Sequence, residues 1–297
     1  MRPADLDFCD CLPLKFEKIF LTKSSQIPVA VIVGASSGLG IAISKVFLEA
    51  GYQVYGVGRD AAKFEEASKA IASVKKPTAS QCVHFLICDA TDQTAVHELF
   101  AHIQSCSGRL DVLVNCVGLS DRGSIESLSR ERLIQLVDAN VTSVLFCSQA
   151  ALPMLKQSRG VVVNIGSLAS KVGARYLGAY PAAKHALAGL SQQMRLEWKE
   201  YGVAVVLVNP GPIQREDAGI RYASQVSDAK IPAAARLPGG GTALTGLIPT
   251  MVAEKVLKAV QRRTPDLILP GYARLLVAAG HLYPRLGDWL LLKMTRK

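Results

Sequence analysis

The chain has 297 residues, 49% of them hydrophobic and 20% charged, with a formal net charge of +10. That length and apolar content suit one α/β domain with a core of ordinary size and require no second domain. Seven cysteines, an odd number scattered singly, argue against a disulfide framework and for a reducing, cytoplasmic setting, and Cys9-x-Cys11 has no matching second pair, so no metal is expected.

Residues 1–28 contain no apolar signal stretch, and Asp5, Asp7, Asp10 and Glu17 argue against a transit peptide, so this segment reads as an N-terminal extension. Val29-Ala-Val-Ile-Val33 is a continuous apolar run, the pattern of a buried parallel strand. Gly34-Ala-Ser-Ser-Gly38-Leu-Gly40 follows, then an amphipathic stretch to about Ala50. Strand, glycine turn and helix together let backbone approach a pyrophosphate and offer it free N–H groups at a positive dipole end. Gly34, Ser36, Ser37, Gly38, Leu39 and Gly40 are the candidate contacts.

A second strand, Val54-Tyr-Gly-Val57, ends at Gly58-Arg59-Asp60. Folds that prefer NAD commonly carry a carboxylate at this strand end. Here the position holds Gly58, with Arg59 next to it, and a guanidinium suits a 2′-phosphate; a solvent-facing loop arginine is the alternative. Asp60 reads as the start of the next helix, which runs to about Val74. Val83-His-Phe-Leu-Ile-Cys88 is a third strand, and Asp92 suits the N-cap of a helix to Cys106. His84, His97 and His102 have no metal-ligand partners and read as structural or solvated.

Leu110-Asp-Val-Leu-Val-Asn115-Cys-Val-Gly118 is the fourth strand, and a long helical pattern from about Glu131 to Gln157 contains Asn140. Val161-Val162-Val163-Asn164-Ile165 is another buried strand, with Ser167 at the C-terminal end where open α/β sheets bind ligands. Thirteen residues later Tyr180 and Lys184 stand four apart, on one face if the segment is helical. Bringing a tyrosine from its free pKa of about 10 to near 7 takes roughly 4 kcal/mol, and a nearby ammonium supplies much of that.

From about Val29 to Pro212 these residues resemble the short-chain dehydrogenase/reductase family, through G-x-x-x-G-x-G, the Ser, the Tyr-x-x-x-Lys and an upstream Asn at the family's spacings. The resemblance implies a catalytic set of Asn140, Ser167, Tyr180 and Lys184 and a nicotinamide cofactor; Gly58 and Arg59 favour NADP(H), with NAD(H) as the alternative. It further implies that Asn140 holds a water linking Lys184 to solvent, and that Asp89, with Ala90 beside it, lies near the adenine. Asn115 and Gly118 fit the family's Asn-Asn-Ala-Gly, while Cys116 and Val117 depart from it, as Val33 departs from the usual Thr before the first glycine.

Val203-Ala-Val-Val-Leu-Val208 is a sixth strand, and Pro210 and Gly211 match the Pro-Gly that closes over the nicotinamide in the family. A Thr often stands four residues after that glycine; this chain has Arg215, so the Ile213 backbone is the expected carboxamide contact. Residues 214–249 mix charges, small residues and Pro238-Gly-Gly-Gly241, the composition of a substrate lid. A helix over 251–263 and the strand Asp266-Leu-Ile-Leu269 complete a catalytic domain of 29–270.

The tail, 271–297, carries Leu275, Ala279, Leu282, Leu286 and Trp289 three or four apart, and Pro284 divides it into two short helices. Residues 251–297 hold nine Lys/Arg against three acids, so this end supplies +6 of the charge; no nucleic-acid motif accompanies it, and no nucleic-acid partner is expected. Packing on the lid or on a second subunit of a homo-oligomer is one account of the tail, and a monotopic membrane contact or apolar substrate entrance is the other. No apolar run approaches the ~20 residues of a membrane span.

The expected fold is a doubly wound parallel sheet of about seven strands with helices on both faces. The resemblance implies hydride transfer between a nicotinamide cofactor and a small-molecule carbonyl or alcohol, with an apolar substrate such as a ketoacyl group, a steroid or a long-chain ketone. The competing class is a non-catalytic nucleotide-binding regulator or scaffold, which has no chemical need for the Asn140, Ser167, Tyr180 and Lys184 combination.

Overall fold

In a computed structural model, residues 27–36, 38–72, 83–215, 217, 220–228, 230–242 and 244–294 are described. Ser37, Val74, Cys9 and Cys11 with the rest of 1–26, and Arg296 and Lys297 lie outside them. The N-terminal half alternates strand and helix: β1 Val29–Val33, α1 Gly38–Glu49, β2 Gln53–Gly58, α2 Ala61–Ala72, β3 Val83–Ile87, α3 Gln93–Ser107 and β4 Val112–Asn115. It continues through α4 Arg130–Val137, α5 Ser143–Ser158, β5 Val161–Ile165, α6 Tyr180–Glu197 and β6 Ala204–Pro210. The last third holds α7 Ala223–Asp228, α8 Pro249–Arg262, β7 Asp266–Leu269, α9 Ala273–Leu282 and α10 Pro284–Met294.

All seven strands are parallel, in the order β3-β2-β1-β4-β5-β6-β7. The chain builds outward from β1 to β3 and then crosses back to place β4 on the other side of β1, which makes the β1/β4 boundary the switch point where such sheets bind ligands. Register sets the strand ends level there: Val33 pairs with Val57 and Asn115, and Asn115 with Asn164. Whatever follows Val33, Asn115 and Ile165 therefore emerges on one rim.

Both faces of the sheet are covered, so its strands are apolar on both sides. Val29, Val31 and Val33 pack towards Phe100, Ile103, Cys147, Leu155 and Met194, whereas Ala30 and Ile32 pack towards Ile43, Phe47, Val252 and Val256. Asp92 caps α3 as expected, its Oδ1 accepting from the backbone N–H of Thr94 at 2.9 Å and Ala95 at 3.1 Å. Between α4 and α5 the helix expands into a π turn over Asp138–Thr142, where the sequence pattern reads as one unbroken helix. Asn140 explains the interruption, because its Nδ2 donates to the Leu136 carbonyl at 2.8 Å and competes for a helical acceptor. Such turns concentrate at functional sites. No described helix is long and apolar enough to cross a membrane.

Candidate active site

The β1–α1 turn forms one end of a cleft along the rim. Gly34 donates its N–H to the Val57 carbonyl at 2.7 Å and has φ 93, and a Cβ there would lie 2.7 Å from the Cys116 carbonyl oxygen. A side chain on Gly40 would overlap the Gly34 carbonyl, while Gly38 faces open space. Bare backbone therefore fronts the cleft at the start of α1, where free N–H groups favour an anion. One end of the cleft, of about 1080 Å³, is lined by Ser36, Gly58, Arg59, Asp89 and Ala90 among others. It runs through Gly34 and Cys116 to Leu119 into a second cavity of about 380 Å³.

At the end of β2, Arg59 is largely exposed and its Nη1 lies 3.5 Å from Asp89 Oδ2. Asp60 turns to its own helix, Oδ1 accepting from the Ala62 and Lys63 N–H groups at 3.1 and 3.4 Å, and the Lys63 backbone bond leads in holding its carboxyl below the usual value. Burial pushes the Asp89 carboxyl up, but hydrogen bonds from the Thr91 N–H and hydroxyl, with Arg59, bring it net below the ordinary range.

Ser167, Tyr180, Lys184 and Asn140 all line the 380 Å³ cavity, together with Leu39, Gly118, Pro210, Gly211 and Ile213. Ser167 leaves β5 into a one-turn 3-10 helix in which its Oγ accepts from the Ala169 N–H at 3.1 Å and its own N–H donates to Ser170 Oγ at 3.0 Å. Tyr180 opens α6 and Lys184 follows one turn later. Lys184 is buried, with Nζ 2.9 Å from the Ile165 carbonyl and 5.8 Å from the centre of the Tyr180 ring. Burial lowers its pKa to about 8, the Cys116 thiol pulling the other way.

Burial raises the Tyr180 phenol above its ordinary value; a hydrogen bond with Ser167 and the Arg122 charge oppose this, and Tyr222 adds to it. Lys184 is not among those influences, so in the structure the expected lowering falls to Ser167 and Arg122, and burial outweighs them. Asn140 spends its Nδ2 on the Leu119 and Leu136 carbonyls at 2.9 and 2.8 Å. Its Oδ1 has no partner among the described residues and, like Lys184 Nζ, lies within 3.4 Å of the point where a Gly118 side chain would begin. An acceptor and an ammonium thus converge beside bare backbone.

Among the described residues, Asn115 is the predicted contact that lines neither cavity. Its Nδ2 donates to Ser148 Oγ at 3.1 Å and Asn164 Oδ1 at 2.9 Å, and Asn164 in turn donates to Ser191 Oγ at 2.9 Å, a buried network that pins β4, β5, α5 and α6. Arg215 is engaged by Asp217 at 2.8 Å.

Three residues that local sequence patterns do not flag complete the site. Arg122 is buried on the cavity wall, donating to the carbonyls of Asp121 at 2.6 Å, Ala235 at 2.5 Å and Leu237 at 3.1 Å, with its guanidinium 3.9 Å from the Tyr222 ring centre. The Tyr222 hydroxyl bonds Ser120 Oγ. Asp121 pairs with Arg132 at 2.7 Å and accepts the Ala179 N–H at 3.1 Å, which fixes the start of α6 one residue before Tyr180.

A family model described as short chain dehydrogenase matches residues 28–221. Dehydrogenase/reductase SDR family member 7B of Xenopus laevis is 33% identical over 254 residues, 83% of this chain and 75% of that protein. The NADPH-dependent 3-dehydrocapnine reductase of Ornithobacterium rhinotracheale is 36% identical over 197 residues, 63% of this chain and 66% of that protein. A short-chain dehydrogenase from Streptomyces avermitilis, of solved structure, superposes with a TM-score of 0.70 at 25% identity, over 91% of this chain and 98% of its own.

Proposed function

The chain belongs to the short-chain dehydrogenase family of oxidoreductases, and within it we propose that the protein is an NADP(H)-dependent reductase of apolar carbonyl compounds, working through Tyr180. The observation that carries this reading is the convergence of Ser167, Tyr180, Lys184 and Asn140 on one cavity that is continuous with the glycine cleft. When bound, the dinucleotide supplies the hydride.

The residues present fit that group. Gly34, Gly38 and Gly40 offer the pyrophosphate bare backbone, and Asn140 Oδ1, which has no partner among the described residues, meets Lys184 Nζ beside Gly118, where the nicotinamide ribose belongs in this family. At the end of β2 a carboxylate has no room, since a Cβ on Gly58 would stand 2.9 Å from the Phe64 ring and 3.2 Å from Ser36 Oγ. Asp60 is committed to capping, which leaves Arg59 to donate to a 2′-phosphate, with Asp89 holding it in place until then. The related NADPH-dependent reductase supports the same preference.

In the reductive direction Tyr180 acts as the general acid, and a buried phenol with a raised pKa holds its proton until charge develops on the substrate oxygen. The Ser167 hydroxyl donates to that oxygen. Arg122, acting at range, stabilises the phenolate that remains, and the Lys184 ammonium, one helical turn away with the Asn140 Oδ1 acceptor beside it, is the group that returns a proton to Tyr180 and regains one from solvent. Leu168, Val172, Leu177, Leu244 and Val277 give the substrate end an apolar wall, and the described part of the 214–249 segment, through Tyr222, Arg236, Pro238 and Thr242, covers it as a lid. Free Cys88, Cys106, Cys116 and Cys147 support a reducing, cytoplasmic setting. The test is NADPH oxidation with β-ketoacyl thioesters, steroids and long-chain ketones; cofactor binding without turnover on any of them would favour the non-catalytic reading.

A further inference from the structure

We propose that α9 and α10 form a hairpin that seats on the surface of an anionic lipid bilayer and passes membrane-dissolved substrate to the Tyr180 cavity. The delivery half rests on the function proposed above; the anchoring half does not.

The two helices cross at a pair of glycines. A Cβ on Gly287 would lie 2.8 Å from Gly280 Cα, so the two backbones touch and the hairpin needs no side-chain core of its own. Each helix is then free to be apolar on two sides. The inner stripe, Leu276, Val277, Leu290, Leu291 and Met294, lines the cavity that holds Tyr180. The outer residues are a different set: Leu275 is 76% exposed, Leu282 75% and Trp289 50%, with Tyr283 and Leu292 also open. The stripe that the sequence offers for packing is therefore mostly the one left in solvent, and the residues between face the cavity. No residue of α10 is buried.

Contiguous apolar exposure of this kind marks a surface that meets something else. Charge favours lipid as the occupant. Among the described residues of the hairpin Arg274, Arg285 and Lys293 stand against Asp288, and Arg296 and Lys297 follow in the sequence. A second copy docked face to face would bring these cations together, whereas acidic headgroups complement them. Lys293 Nζ lies 4.0 Å from the Trp289 ring centre, a pairing of cation and indole suited to the headgroup level. The helices, of 10 and 11 residues, are too short to span and long enough to lie in the interface. Because the same hairpin walls the cavity on its other side, lipid contact on one face and substrate entry on the other share one element.

The full chain should co-sediment with vesicles of mixed phosphatidylcholine and phosphatidylserine, less so as salt is raised, and not with phosphatidylcholine alone. Trp289 emission should shift to the blue on binding, while Trp198 is already buried. The triple variant Leu275→Glu, Leu282→Glu, Trp289→Glu, all solvent-facing, should lose co-sedimentation and keep turnover of a water-soluble ketone. Failure of the wild type to bind acidic vesicles overturns the anchor, and so does a triple variant that instead halves the mass in sedimentation velocity, which would make the face an interface between copies. Vesicle binding with equal turnover of free and vesicle-dissolved ketone by both proteins overturns delivery alone.

Discussion

Arg122 lies 3.9 Å from the Tyr222 ring centre and holds the Ala235 and Leu237 carbonyls, so one side chain ties the loop after β4 to the segment over the cavity, about 100 residues away. Arg122→Met should leave both carbonyls without their donor and remove a charge that lowers the Tyr180 phenol. Charge-assisted hydrogen bonds of this kind contribute about 1.5–3 kcal/mol, so kcat/KM should fall roughly ten- to a hundredfold. Arg122→Lys should recover little, because an ammonium cannot reproduce the fork of donors. Steady-state kinetics on both variants checks this, and an unchanged kcat/KM would make the contact incidental.

Arg59→Ala should raise the dissociation constant of NADPH roughly ten- to a hundredfold, the equivalent of one charge-assisted phosphate contact. NADH affinity should hardly change, because NADH lacks the 2′-phosphate that Arg59 is proposed to meet. Titration of both reduced cofactors measures it; equal affinities in the wild type, or parallel losses in the variant, would remove the assigned preference.

Burial brings Lys184 from its ordinary 10.5 to about 8 in the folded protein. Between those values the folded state carries fewer protons at this site than the unfolded chain, so stability rises with pH across that window; below it the buried ammonium is a constant cost. Lys184→Met should remove that slope. Thermal denaturation of both proteins from about pH 8 to 10.5 should show the wild type gaining on the variant. A constant difference across the window would contradict the assignment.

How much of this was legible in the sequence depends on how local its cause is. The apolar runs marked the strands because a doubly covered sheet needs no alternation, Asp92 announced its cap, and Pro284 split the tail where α9 and α10 divide. Ser167, Tyr180 and Lys184 were singled out by their spacing together with the family resemblance, and the structure brings them to one cavity. Arg122 and Tyr222 were not, since their partners lie about 100 residues away and a D-R pair after a strand is ordinary loop composition. Asn115 shows the converse: its place in a motif pointed to the cofactor, and only its register beside Asn164 shows that its side chain also belongs to a buried network. The tail pattern located one apolar stripe and could not say that a second, beside the Gly280–Gly287 contact, lines the cavity.

The central claim is that Tyr180 delivers the proton, and Tyr180→Phe on a substrate confirmed for the wild type tests it most directly. Removing a positioned acid lowers rate by 10²–10⁴-fold, so turnover should fall by about that factor while the NADPH dissociation constant stays near the wild-type value. A variant that keeps more than about half the wild-type turnover would place the chemistry elsewhere.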